Sequence, residues 1–406
     1  MMIVIGVVLI TVVPQFRSMQ VKLDRINEVL REQITGVRVI RAFVRGRSEA
    51  ERFSEANADL TATALRVNRI FALTLPAMMA ILNLSSVAVV WFGGHLVSDG
   101  SMPIGNLTAF LAYILQILMA VMMVILLPRA VASAERVEQV LDTVPAIADP
   151  PSPVRPAQVT GLVRFENVTF GYPGSERPVL RDLTFTMELG ETSAIIGGTG
   201  SGKTTLLSLI PRFFDPTNGT IFVNGVDVRE QSLDALWGSI GLVPQAAFLF
   251  RGTVASNLRF GWPAASETEL WNALEIAQAR DFVAAMPCGL DAPIDQGGTN
   301  VSGGQRQRLS IARALAKRPR LYLLDDCFSA LDAATDARLR TAMKLATRDA
   351  AVVIVAQRVS TIMQADRIIV LDAGQIVGIG THSQLLASCE PYREIVVSQL
   401  GEEAAA

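Results

Sequence analysis

Between Arg69 and Arg129 the chain carries one charged side chain, Asp99. This leaves two uncharged stretches, residues 70–98 and 100–128, each longer than the roughly 20 residues a helix needs to cross bilayer hydrocarbon. In lipid every backbone amide must be satisfied within its own segment, so both stretches are expected to be transmembrane helices. The connection around Asp99 is short and reads as a tight turn on the outer side. Basic residues from Arg17 to Arg69 precede the pair and Arg129 and Arg136 follow it, which places both flanks in the cytoplasm. Residues 1–13 are also apolar, but at about 1.5 Å per residue they reach only part of the way across a roughly 30 Å core. With no basic region ahead and no small-residue cleavage site behind, they read as the end of a helix that starts upstream, with a leader peptide as the alternative.

Residues 17–69 follow a charged helical pattern broken near Gly36. Ile34, Val37, Val39, Ile40 and Phe43 are too many apolar side chains for a fully solvated helix, so this segment is expected to pack on a partner domain or, alternatively, on itself as a hairpin. An amphipathic helix is expected over 130–141. Then Pro145, Pro150, Pro151, Pro153 and Pro156 forbid helix and mark residues 144–160 as a linker. Residues 1–143 thus form a partial transmembrane domain and 161–402 a second domain. Its short β-rich runs, 162–170, 183–189 and 193–196, alternate later with helices as in an α/β nucleotide-binding fold. Cys288, Cys327 and Cys389 all fall in that domain without metal-like spacing and read as reduced thiols. A net charge of −2 leaves no electrostatic footprint for nucleic acid.

Residues 195–205 contain Gly197, Gly198, Thr199, Gly200, Ser201, Gly202, Lys203, Thr204 and Thr205, matching the phosphate-loop pattern G-x-x-x-x-G-K-[ST]. Glycines let backbone N–H groups wrap an anion, Lys203 reaches the β- and γ-phosphates, and the Thr204 hydroxyl ligates Mg²⁺. The flanking context fits: a strand over 192–196 and a helix expected over 204–214. An apolar strand from Leu321 ends in Asp325, placed to hold Mg²⁺, and Asp326, placed to orient the attacking water. Two such carboxylates could instead cap the next turn. Between these segments Ser302, Gly303, Gly304 and Gln305 open a helix running to about Arg318, whose N-terminus is either a plain serine cap or an anion site. Beside a phosphate loop, a second anion site makes most sense if it serves another molecule's ATP.

Val301 to Gln305 resembles the signature motif of the ATP-binding cassette (ABC) family, and the resemblance covers nearly the whole chain. Residues 28–53 resemble the second intracellular coupling region of exporter-type half-transporters, and the two uncharged spans resemble their last two membrane helices. Six helices precede the cassette in complete members, so the chain resembles the part that begins within the fourth. The resemblance implies that Tyr172 stacks on adenine, that Gln245 touches Mg²⁺ and relays to the membrane domain, and that Asp332 crosses a dimer interface. Two cassettes then hold ATP head to tail, each phosphate loop facing the other chain's signature.

Three positions depart from the family pattern: Asp326 stands where glutamate is usual, Gln357 where the switch histidine is expected, and Gln296 where a glutamate precedes the signature. The two histidines, His95 and His382, lie elsewhere. Asp for Glu withdraws the carboxylate by about 1 Å, and misplacements of that size cost about 10²-fold in rate. Gln357 donates a hydrogen bond but carries no charge. The pattern resembles the degenerate subunit of heterodimeric exporters: ATP and Mg²⁺ bound, slow hydrolysis at its own site, a competent signature offered to a different half-transporter.

The reading is thus an ATP-driven efflux ATPase subunit, multi-pass in the cell membrane among lipid, with its cassette in the cytoplasm and its cargo unidentified. Alternatives are an ATP-binding regulatory half, an exporter-fold importer of metal chelates, or a soluble cassette ATPase, which the uncharged spans oppose. Alkaline washing of membranes is expected to leave the chain in the pellet and detergent to release it; recovery in the aqueous supernatant would contradict the membrane assignment.

Overall fold

The computed structural model describes residues 2–401, which divide into a unit ending at Val144 and a unit starting at Pro145. Glu402, the expected end of the second domain, and the alanine tail lie outside the described residues. The first unit is helical: α1 (Met2–Thr35), α2 (Val37–Ala42), α3 (Gly46–Ser98) and α4 (Ile104–Leu141). The break expected near Gly36 separates α1 from α2. Ile26 and Val29 of α1 and Val67 of α3 are buried, and charged pairs fix the register of those two helices. Lys22 Nζ lies 2.6 Å from Asp59 Oδ1 and 2.9 Å from Thr63 Oγ1, and Arg52 meets Glu32 at 2.7 Å. Exposed pairs of this kind add little stability, so their use is alignment.

The charged segment does fold back on itself as a hairpin of α1 and α3, yet the apolar residues at its tip stay uncovered: Ile34 and Phe43 remain 74% and 73% exposed. Downstream, α3 runs without a break from the charged segment through residue 98. Among the described residues it is the helix long and apolar enough to cross a membrane, while α4 contributes a shorter apolar segment, Ile104–Ile117. The second uncharged stretch becomes helical only at Ile104, since Pro103 holds an extended conformation at the helix start, and α4 then continues unbroken through the helix expected over 130–141.

In the second unit, β1 (Val163–Phe170), β2 (Leu180–Met187) and β4 (Asn218–Val223) form an antiparallel sheet with β1 in the centre. A six-stranded sheet is built from β3 (Thr192–Ile196), β5 (Ile240–Val243), β6 (Leu321–Asp325), β7 (Ala351–Val355), β8 (Arg367–Asp372) and β9 (Gln375–Gly380), in the order β9-β8-β3-β7-β6-β5. All neighbours except β8 and β9 are parallel. Every residue of β6 and β7 is buried, which is why they read as continuous apolar runs. One face of the sheet shares its core with β1, β2 and β4, including Phe165, Leu180 and Ile221. The other packs on α6 (Gly303–Lys317) and α7 (Ala333–Ala346) through Leu309, Ile311 and Leu339. The cysteines are free thiols, Cys288 exposed and the other two buried.

Three sequence expectations are corrected. The helix after the phosphate loop, α5, covers only Lys203–Leu209 because Pro211 cannot donate to the preceding turn, and Arg212 then turns left-handed at φ 56. The strand expected over 183–189 begins earlier, at Leu180, where pairing with Phe170 extends it. The expected linker is docked on the second unit rather than free. Asp149 Oδ1 accepts from the Leu233 N–H at 2.7 Å, Ala148 carbonyl accepts from Arg212 at 3.2 Å, and Val154 bridges Gln231.

Leu323, fully buried at the centre of β6, reports on this core. Leu323→Ala is expected to cost about 2–5 kcal/mol and to lower the cassette's unfolding midpoint by roughly 5–15 °C in differential scanning calorimetry; an unshifted midpoint would contradict the assigned core.

Candidate functional site

Four neighbouring parallel strands, β3, β7, β6 and β5, end at the same level, since Val355 is in register with both Ile195 and Asp325, and Val243 with Leu324. The residues that follow each strand therefore emerge along one edge, the place where open α/β sheets bind ligands. From β3 comes Gly197, from β7 Gln357, from β6 Asp325 and Asp326, and from β5 Gln245.

The phosphate loop turns on glycines at two left-handed positions, Gly200 at φ +82 and Gly202 at φ +100. A Cβ on Gly197 would stand 2.0 Å from the Leu371 carbonyl, so only glycine fits where the loop leaves β3. By contrast, a Cβ on Gly198 would meet nothing within 4 Å, and Gly198 and Thr199 are both exposed. Lys203 Nζ donates to the Gly197 and Gly198 carbonyls at 2.9 and 2.7 Å. Burial lowers its pKa, opposed by Asp326 and Asp325. Ser201 Oγ is buried with no hydrogen-bond partner, a hydroxyl left waiting for an acceptor.

Thr204 Oγ1 donates to Asp325 Oδ1 at 3.2 Å, joining the loop to β6. Asp326 sits in the left-handed region at φ 43 and its N–H bonds to the Val355 carbonyl at 2.9 Å, which turns its carboxylate toward the neighbouring strand ends. One oxygen, Oδ2, accepts from both Gln357 Nε2 at 2.9 Å and Gln245 Nε2 at 3.3 Å. Burial raises the pKa of Asp325, offset by the Thr204 bond, and of Asp326, offset by Gln245 and Lys203. Three of the groups singled out in the sequence, from strands far apart along the chain, thus converge on one carboxylate oxygen.

Other expected residues stand apart from this cluster. Tyr172 is 39% exposed, packs edge-on against Phe170 and Phe214, and its hydroxyl lies 3.1 Å from Thr205 Oγ1. Ser302 caps α6 in a reciprocal box with Gln305: its N–H donates to Gln305 Oε1 at 2.9 Å and its Oγ accepts from the Gln305 N–H at 3.3 Å. A Cβ on Gly304 would press the Ala330 carbonyl at 3.3 Å, whereas one on Gly303 would touch nothing within 4 Å. Asp332 caps α7 by accepting from the Thr335 N–H at 2.9 Å, a bond that holds its carboxyl below the usual range. Among the described residues, the side-chain hydrogen bonds of Ser302 and Gln305 join the two to each other and none reaches the phosphate loop or Asp326. Gln296 is exposed. Sequence reasoning missed Asn257, which grips the chain after Gln245 through the Phe250 N–H at 2.8 Å and the Phe250 carbonyl at 2.9 Å. An isolated asparagine in a helix gives no signal of that loop contact.

The sequence matches the ABC transporter transmembrane region over residues 1–121 and the ABC transporter domain over residues 180–329. It is similar to an uncharacterized ABC transporter ATP-binding protein of Mycobacterium tuberculosis, 49% identical over 394 residues, covering 95% of this chain and 67% of that protein. An ATP-dependent lipid A-core flippase of Syntrophus aciditrophicus is 36% identical over 388 residues, covering 95% of this chain and 64% of the flippase. A solved bacterial Atm1-family ABC exporter with ATP bound superposes with a TM-score of 0.89 at 28% identity, covering 99% of this chain and 72% of that one. The chain therefore belongs to the ABC transporter family, as an exporter half-transporter with a helical transmembrane region followed by an α/β ATP-binding cassette.

Proposed function

We propose that this half-transporter works in a multi-pass cell-membrane exporter beside a different half-transporter, holding ATP in its own pocket with slow hydrolysis and completing its partner's pocket with its signature. The observation that carries this reading is the Asp326 carboxylate tied through one oxygen to two neutral amides, Gln357 and Gln245. A carboxylate so held is an acceptor fixed in place, and Gln357 brings it no charge; the positive charges that act on it are those of Lys203 and Arg358. Asp326 would orient the attacking water, Gln357 would steady the γ-phosphate edge, and Lys203 with the loop amides would neutralise phosphate. The donor set also fits Mg²⁺, because a hydroxyl, a carboxylate and an amide from Thr204, Asp325 and Gln245 offer hard oxygen ligands. Bound there, Mg²⁺ would neutralise charge on the β- and γ-oxygens.

The open backbone at Gly303 supports service to a second chain: nothing in its own fold requires that position to lack a side chain. Asp332 and Tyr172 would complete the interface and the adenine face. The cargo is proposed to be amphipathic or lipid-like. The uncharged spans offer mainly Asn83, Asn106 and Gln116 as polar groups, and a relative 36% identical over 388 residues is named a lipid A-core flippase.

ATPase assays on the purified pair test the division of labour. Asp326→Asn is expected to leave at least half of the turnover, and removal of the partner's catalytic glutamate to cut it to the slow rate of this chain's own pocket; the reverse pattern would reject the proposal. Gly303→Ala is expected to leave nucleotide binding by the chain's own loop and the melting curve unchanged while lowering turnover of the pair by about tenfold or more. Unchanged turnover would exclude the signature from the partner's site. Gly197→Ala, which collides with the Leu371 carbonyl, is expected to abolish ATP binding by this chain in a filter-binding measurement.

A further inference from the structure

The last helix of the cassette, α8 (Glu390–Leu400), is anchored by Tyr392 and Val396, both fully buried. Gln399 follows them at the i, i+4, i+7 spacing of one helical face, so its side chain points the way those two do. There it makes two short hydrogen bonds to the switch loop after β7. Its Nε2 donates to the Gln357 carbonyl at 2.8 Å, and its Oε1 accepts from the Val359 N–H at 2.8 Å. The side-chain amide thereby imitates a neighbouring strand, bonding a carbonyl and an N–H two residues apart. From the other side Arg358 donates to the Ser329 carbonyl at 3.3 Å. The backbone that carries Gln357 is thus held at and after the switch position, while before it the Ala356 N–H donates to the Ile195 carbonyl at 3.2 Å, and the Gln357 side chain in turn meets Asp326 at 2.9 Å.

We propose that Gln399 is a positioning residue for the reaction at Asp326: from the C-terminal helix it fixes the switch backbone and so sets where Gln357 delivers its amide. This rests on the reading that Asp326 and Gln357 serve hydrolysis in this chain's own pocket. A histidine at the switch position would hold its place by charge against the γ-phosphate as well as by packing. Gln357 carries no charge of its own to draw it to the γ-phosphate, so its position is set by its bond to Asp326 and by the backbone clip. The proposal also gives the end of the chain a role in ATP turnover, since any shift of α8 is carried to Asp326 through three successive hydrogen-bonded groups.

A double-mutant cycle on the full chain, assembled with its partner half-transporter, tests this. The partner's catalytic carboxylate is replaced by the amide so that only the pocket holding Lys203 and Asp326 turns over. Gln399→Ala is expected to slow single-turnover hydrolysis of Mg-ATP by about tenfold with the ATP concentration for half-maximal rate unchanged. Gln399→Glu, of the same shape, keeps the bond from Val359 but sets a carboxylate against the Gln357 carbonyl, and is expected to be at least as slow as Gln399→Ala with the same melting curve. In a Gln357→Ala background, Gln399→Ala is expected to add less than twofold. Equal effects of Gln399→Ala in both backgrounds, or a wild-type rate in Gln399→Ala while Gln357→Ala is slow, would overturn the clip. A wild-type rate in Gln357→Ala would instead overturn the reading of the pocket on which the clip rests.

Discussion

The parallel register of β3, β7, β6 and β5 is the constraint on which the site depends. Because the four strands end level, side chains that lie far apart in sequence leave the sheet within hydrogen-bond reach of one another. Burial of every residue in β6 and β7 makes a slip of register costly, so the edge is stiff where Asp326 needs it to be. A carboxylate at that edge is useful only if its direction is fixed. The left-handed backbone at Asp326 and the two amide donors on its Oδ2 fix it.

Electrostatics at the edge push in one direction. Burial disfavours charge on Lys203, Asp325 and Asp326 alike; Lys203 and the two carboxylates offset this for one another, while Asp326 adds to the upward shift of Asp325. Such a pocket gains by taking up a ligand that brings both signs, as a nucleotide with its metal does. The buried, unpartnered Ser201 hydroxyl points the same way. On the proposed reading, the departures at Asp326 and Gln357 leave the phosphate loop unchanged and alter the groups that would act on water.

Much of this was legible because the informative residues are contiguous. A phosphate loop, an apolar strand ending in two aspartates, and a signature at a helix start each declare themselves within a dozen residues, and two uncharged stretches declare a membrane. What escaped is long-range or set by a single residue. Pro211 cuts α5 short of the expected Phe214. Asp149 and Ala148 dock a proline-rich stretch that reads as free linker. Gln399 grips the switch loop across 42 residues with nothing in its neighbourhood to announce it. The apolar residues around Phe43 show the opposite case: their excess was legible as a need for a surface to pack on, and the fold of this unit leaves them exposed.

The central claim is that this chain's pocket keeps its ATP while its partner's spends it. Nucleotide retained by the detergent-purified transporter after turnover, separated by rapid gel filtration and assigned to each chain by photo-crosslinking of an azido analogue, measures that directly. The account predicts intact triphosphate on the chain carrying Asp326 and Gln357 and diphosphate on the other; diphosphate on both in equal amount would contradict it.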